Sequence, residues 1–397
     1  MDFDPLVAKA TSPEMAELRS RCPVSHTSAG RWFLASYDAV LAATQDVELF
    51  HGTMREKGVV VPAEERLLSE IPEPRHGQVR RIINSAIAAH RLRTIEPMCR
   101  RLCEELLDDL RARDGVVDLY PAYISPVPNN VIAHLLGAPP QDYPLWAKWS
   151  DEVLEGTYPT LNRTDRGEGF AGAHPEFCAY IDAIVADRRA NPRDDFPTRM
   201  LDRELDGRPL TDLEARTQLL FLFVAGNATT RHLFSSIMHR LAADPELFAT
   251  LRADRSLVPA MVEECLRLDP PVRVLFREAS ADAEWRGHEI AHGDKVDFGL
   301  ESANRDEGRF ECPHDLRLDR PEPKAHLAFG GGPHVCPGAT LARMEARVAV
   351  ETLLDKVVSM HIPAGEELEG STVWWIGGGP EHLPVVIEWA TAAEPVG

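Results

Sequence analysis

Apolar positions recur at helical spacing over most of this chain, and runs of period two are confined to a few short stretches. Between His76 and Arg113, Ile95, Met98, Leu102, Leu106 and Leu110 fall near one helix face while Arg and Glu residues take the other. Pro121, Pro126 and Pro128 then interrupt the chain before a further helix around Asn130 to Leu136. The clearest helix begins near Thr211, which forms a capping-box pattern with Glu214, and continues to about Ala243, before Asp244-Pro245. Its stretch from Leu219 to Ala225 is apolar on most faces, which predicts a helix through the centre of the protein. Pro245 to Ala253 and Pro259 to Leu268 read as shorter helices, the second stopped by Asp269-Pro270-Pro271. Ala339 to Val357 is amphipathic again.

Strand signals are short. They fall at Trp32 to Leu34, at Ala283 to Ile290 around Arg286-Gly287, and at Lys295 to Leu300. At the end of the chain, Val373 to Ile376 and Leu383 to Trp389 flank Gly377-Gly378-Gly379-Pro380, a pattern that predicts a hairpin. Gly52 to Pro74 reads as loop, and residues 155–175, rich in Gly, Thr and charge, as an exposed connection. The fold class is therefore mainly α with a small β region, its β-rich elements near 30–60, 272–300 and 370–390. No internal repeat divides the chain, and at 397 residues length alone suggests two or three ordinary domains.

Composition narrows the function classes. A hydrophobic content of 44% supports a large core, and the net charge of -20 argues against nucleic acid as a partner. Seven cysteines without CxxC pairs argue against a disulfide framework and fit a reducing compartment. Met1-Asp2-Phe3-Asp4-Pro5 lacks the basic start of a signal peptide, and no uncharged apolar run reaches the roughly 20 residues a membrane span needs. A cytoplasmic protein without a membrane anchor is the expectation.

The chemistry concentrates in Phe329-Gly330-Gly331-Gly332-Pro333-His334-Val335-Cys336-Pro337-Gly338. One thiol sits on a glycine-rich loop just before an amphipathic helix. Backbone N–H groups and the positive end of the helix dipole would stabilise its thiolate, and glycines admit a flat cofactor close to the sulfur. Phe329 can cover the sulfur and keep water out. Cys336 is thus a candidate metal ligand, against the plainer reading of a buried free cysteine in a turn.

The spacing Phe329-Gly330-x-Gly332-x-His334-x-Cys336-x-Gly338 resembles the haem-binding signature of the cytochrome P-450 family, the haem-thiolate monooxygenases. The resemblance runs from about His76 to the C-terminus and is to the soluble bacterial type. It implies a single-domain, mainly helical fold over residues 1–397 with haem b between the long central helix and the cysteine loop. Cys336 would be the proximal ligand, whose electron donation favours O–O cleavage. His76, Arg80, Arg277 and His334 would hold the propionates, with Phe329, Gly330 and Gly338 shaping the cofactor site.

Val224-Ala225-Gly226-Asn227-Ala228-Thr229-Thr230 resembles the family's oxygen-activation motif. Two readings of it stand. The threonines bond back to carbonyls one turn earlier, or Thr229 holds dioxygen or water for protonation beside a helix that Gly226 opens. Ala228 stands where the family usually has an acid, so Asn227, Thr230 and water are the expected substitutes. Asn227 cannot titrate and would only orient water. Glu264-x-x-Arg267 matches the family's structural Glu-x-x-Arg pair, with Arg320 or Arg317 completing it. Arg273 could face the cavity or point away, and Trp374 and Trp375 could line the pocket or belong to the core.

The implied reaction inserts one oxygen atom from dioxygen into a small hydrophobic substrate of terpenoid, steroid, fatty or aromatic type. Electrons would come from NAD(P)H only indirectly, through an external ferredoxin docking on the cysteine side of a monomer, with Arg80, Arg81, Arg343 and Arg347 as its basic patch. A peroxide-driven haem enzyme, suggested by Ala228, and a non-catalytic haem-based ligand binder are the alternatives.

Overall fold

The computed structural model describes residues 4–391 except 7, 54, 56–58, 60, 90–91, 151, 153–173, 369 and 371–374. The predicted 155–175 connection and Trp374 therefore lie outside the described residues, apart from the first residues of a helix at Pro175–Ala190.

The central helix spans Asp212–Ala243 without a break. Its start obeys the capping-box prediction. Glu214 N–H donates to Thr211 Oγ1 at 3.1 Å, and Thr211 N–H donates back to the Glu214 carboxylate at 2.8 Å. Two N–H groups that a helix start leaves unpaired are thereby satisfied. Buried residues surround the helix on most sides, from Leu219 and Phe223 to Phe234 and Met238. Such a helix is stabilised by packing on all faces rather than by one stripe.

The helical region from His76 divides into Arg75–Ala89 and Leu92–Arg111. In the second, the buried stripe runs through Ile95, Cys99, Cys103, Leu107 and Leu110, while Met98, Leu102 and Leu106 are only half-buried. The stripe is rotated from the predicted one because the two cysteines behave as small apolar residues. The helix expected at Asn130–Leu136 starts earlier, at Pro126, where a missing N–H costs nothing. Further helices occupy Pro245–Ala253, Val258–Leu268 and Ala339–Lys356.

Strands β1 (Val24–His26), β2 (Trp32–Leu34), β3 (Phe50–Gly52), β4 (Val116–Asp118), β5 (Glu204–Leu205), β6 (Arg208–Pro209), β7 (Val274–Ala279), β8 (Ala283–Trp285), β9 (His288–Ile290), β10 (Lys295–Gly299), β11 (Val357–His361) and β12 (Pro384–Trp389) build small sheets. The largest has the order β1-β2-β10-β7-β3, antiparallel except for the parallel β2–β10 pair. Strands β8 and β9 form the hairpin foreseen at Arg286-Gly287, where φ is 50° and 80°. Positive φ at both central residues matches the right-handed twist of the strands.

The predicted C-terminal hairpin is not seen among the described residues, Val373 and Trp374 lying outside them. β12 lies between β11 and β4, and Ile376 bridges Val272 instead. Alternating hydrophobicity identified a strand there, but partner choice depends on which distant edges are available.

Candidate active site

Between the central helix and the glycine-rich loop lies a cavity of about 290 Å³ with a mainly apolar wall. Cys336, His76, Arg80, Arg277, His334, Phe329, Gly330 and Gly338 all line it, as do Gly226 and Thr229 on the central helix. Asn227 does not.

The loop is held by its glycines. Gly330 and Gly332 have φ of 72° and 60°, a region that side chains beyond Cβ disfavour. A Cβ on Gly332 would stand 2.1 Å from the Thr44 carbonyl oxygen, so the loop packs its backbone directly against the helix Tyr37–Gln45. The Cys336 N–H donates to Phe329 O at 2.9 Å, closing the loop on itself. Burial pushes the Cys336 thiol above its ordinary range, while the N–H groups of Gly338 and Ala339 and the charges of Arg80 and Arg343 favour the thiolate. The balance is that of a sulfur waiting for a cation.

Four potential cations stand along the same wall. Arg277 is 9% exposed, and burial pulls its guanidinium down to about 10. It donates to the Phe276 carbonyl oxygen at 2.8 Å and lies over the face of Phe298. Burial also lowers Arg80, countered by the Cys336 sulfur, and brings His334 down to about 3. His334 stacks on His76 with ring centroids 3.8 Å apart, and the His76 Nδ1 pairs with Glu73 at 2.8 Å. The buried His76 Nε2 has no partner. Among the described residues, neither arginine nor His334 has a carboxylate within ion-pair distance. Buried positive groups of this kind call for an anion, and a dianionic porphyrin against a thiolate fits both needs.

The opposite wall departs from expectation at Gly226 and Asn227, and its threonines take one of the two arrangements expected of them. The central helix runs straight through Gly226, so this glycine does not interrupt it; a Cβ there would approach Ile132 Cδ1 to 3.2 Å. Gly226 serves close packing of the helix against Pro126–Leu135. Thr229 Oγ1 donates to Ala225 O at 2.6 Å and Thr230 Oγ1 to Gly226 O at 2.8 Å, the back-bonded arrangement. Asn227 is fully buried on the side away from the cavity, and its amide donates to Asn129 Oδ1 at 3.1 Å and Ser150 Oγ at 2.8 Å. It ties the helix to its neighbours and does not reach the place where water could be oriented for chemistry. Helical rotation of 100° per residue separates it from Thr229.

Other charged residues settle into structural roles. Glu264 is bound by Arg267 at 2.7 and 2.9 Å, by Arg320 Nε at 2.9 Å and by the Arg317 N–H at 2.9 Å. Arg320 therefore completes this cluster, and the Arg317 guanidinium turns to Glu311 and Asp319. Arg273 pairs with Glu301 and the Ala8 carbonyl, outside the cavity wall. Trp375 stacks edge-on with Phe276 and is not in the wall either. The predicted basic patch does not assemble as four free cations. Arg80 faces the cavity, Arg343 is clamped by Glu263, and Arg347 by Glu96 and Glu351.

Glu345 was not foreseen. It lines the cavity from the helix Ala339–Lys356, its Oε2 has no partner, and full burial holds its carboxyl well above the ordinary range. Its one sequence signal is register: it falls among Met344, Ala346 and Val348, all buried.

The fold and this wall together fit a pocket that could hold a porphyrin under a long helix, with Cys336 on its wall. A family model for cytochrome P450 matches residues 157–357. A steroid C26-monooxygenase of Mycobacterium tuberculosis is 30% identical over 385 residues, covering 96% of this chain and all of that protein. Bacillus megaterium CYP109E1, solved in complex with testosterone, superposes with a TM-score of 0.81 at 29% identity, covering 96% of this chain and 99% of that one. A mutant of P450 EryK in complex with erythromycin B gives a TM-score of 0.84 at 28% identity, covering 96% and 97%. The chain belongs to the cytochrome P450 family and is a haem-dependent monooxygenase. No described helix is long and apolar enough to cross a membrane.

Proposed function

We propose that residues 1–397 act as one unit that binds haem b through Cys336 and hydroxylates a small, uncharged, hydrophobic molecule. Haem held by a thiolate supplies reductive activation of dioxygen, one atom going to the substrate and the other to water. Arg80 and Arg277 neutralise the propionates, His76 and His334 donate hydrogen bonds to them, and Gly330 and Gly338 keep the loop backbone close to the ring. The single observation that carries this reading is the cavity wall itself, where one buried sulfur and two arginines, Arg80 and Arg277, without a carboxylate partner among the described residues face an apolar roof formed by Phe221, Leu222, Leu135, Leu136, Val272 and Leu275.

Substrate class follows from what that roof lacks. Among the described residues, its polar side chains beyond the cation cluster, Cys336 and Glu345 are Ser69, Thr229 and Thr230. A charged substrate would lose its hydration without gaining a partner. A relative named as a steroid C26-monooxygenase and a structure solved with testosterone agree with a bulky apolar guest. Thr229, whose hydroxyl donates to Ala225 O, lines the cavity and would hold a proton there if its hydroxyl turned from that carbonyl. Electrons reach the protein from NAD(P)H through a ferredoxin-type donor in the cytoplasm, and the protein works as a monomer.

A second reading rests on Ala228 and the orientation of Asn227: with no titratable side chain beside Thr229, peroxide rather than dioxygen would supply oxygen and electrons together. Absorbance of the reduced, carbon monoxide-bound protein tests thiolate ligation, and Cys336→Ala should abolish that spectrum. Product formation with ferredoxin, its reductase and NAD(P)H, compared with hydrogen peroxide alone, separates the two readings. A protein that binds no haem when supplied with it would refute both.

A further inference from the structure

The helix Ala339–Lys356 carries Arg343 to a place that the sequence had assigned to partner docking, yet its guanidinium faces inward. Nε and one terminal nitrogen donate to the two oxygens of Glu263 at 2.7 and 2.9 Å. Glu263 is itself buried, and its Oε2 also meets His326 Nε2 at 2.9 Å. The Ala328 N–H donates to His326 Nδ1 at 3.2 Å, which leaves the Nε2 proton for Glu263. On its other side the guanidinium carbon lies 4.5 Å from the centre of the Phe329 ring. Phe329 in turn lines the cavity and accepts the Cys336 N–H through its own carbonyl.

We propose that Arg343 is a positioning residue for the cysteine loop: clamped by Glu263 and His326, it fixes the Phe329 ring beside Cys336 and sets the reduction potential of the haem this thiolate holds. The inference rests on the haem-thiolate reading above.

The geometry gives the sign. Glu263 holds one edge of the guanidinium and Phe329 lies on its face, so one positive and one negative charge stand beside the cysteine loop, and the Arg343 charge favours the Cys336 thiolate. Reduction adds an electron to the cofactor, and a nearby positive charge favours it. A bidentate fork and flat stacking are things arginine does and lysine does not. Arg343→Gln removes the positive charge and leaves the Glu263 carboxylate. Glu263→Gln leaves the cation without its counter-charge. The two substitutions therefore move the one-electron midpoint in opposite directions, down and up, each by about tenfold in the equilibrium constant, or ~59 mV. Arg343→Lys keeps the charge and shifts the midpoint less.

Spectroelectrochemical titration of the haem-loaded proteins measures this, with the reduced carbon monoxide spectrum taken first. Wild-type protein that shows no thiolate signature overturns the haem reading and the inference with it. Wild-type protein with that signature, but with Gln variants whose midpoints stay put or move the same way, overturns the inference alone. If Arg343→Gln retains no haem, Glu263→Gln and Arg343→Lys decide: an upward shift in the first and a smaller shift in the second support the assignment, and an unmoved Glu263→Gln refutes it.

Discussion

Arg277→Met should change two stabilities in opposite directions. Arg277 is buried to 9% exposure, with a backbone carbonyl and an aromatic face as its partners. Burial lowers its pKa from 12.5 to about 10, a penalty on the charged form of about 3 kcal/mol. The folded value lies below the unfolded one, so at neutral pH the full penalty opposes folding. It fades only as pH rises from about 10 through 12.5. Methionine keeps the length and removes the charge. Loss of the carbonyl bond, about 0.5–1.5 kcal/mol, and of the stacking on Phe298, about 0.5–1 kcal/mol, leaves the haem-free protein with a gain of roughly 0.5–2 kcal/mol. The haem-loaded protein should lose a charge-assisted bond of about 1.5–3 kcal/mol, so haem should leave about 10- to 100-fold faster. Urea unfolding of the haem-free form and transfer of haem to excess apomyoglobin measure the two effects. A haem-free variant less stable than wild type, or haem release at the wild-type rate, would refute the reasoning.

Glu264→Gln leaves Arg267 and Arg320 without their buried carboxylate and should cost about 3–5 kcal/mol, seen as a lower urea midpoint of the haem-loaded protein. Gly332→Ala places a methyl group 2.1 Å from the Thr44 carbonyl oxygen at positive φ, so it should cost more than ~2 kcal/mol and lower haem occupancy, read from the Soret-to-protein absorbance ratio. Burial raises the Glu214 carboxyl, but Arg208, the Thr211 N–H and Arg75 outweigh it and hold it at about 2. Its folded value is below the unfolded one, so its contribution is complete above about pH 4.5 and is lost as pH falls toward 2. Denaturation of wild type and Glu214→Gln should differ at pH 7 and converge in acid; a constant difference would exclude the linkage.

The parts legible in the sequence were those whose cause is local. A capping box needs only Thr211 and Glu214 three residues apart, and the β8–β9 turn needs only residues that tolerate positive φ. The cysteine loop was readable for the same reason, since its glycines answer to backbone geometry within ten residues. Asn227 was misread because sequence adjacency to Thr229 says nothing of which way a helix turns its face. Arg343 was misread because its partner, Glu263, is 80 residues away.

Order along the chain thus determined the helices, the short strands, the cysteine loop and the kind of chemistry a lone thiolate beside glycines invites. Tertiary structure alone decided which edges β12 joins, which arginines stay unpaired around the cavity and which are neutralised. The physical reason is range: caps and turns satisfy their own backbone groups, whereas a buried charge is fixed by whatever distant element brings it a partner.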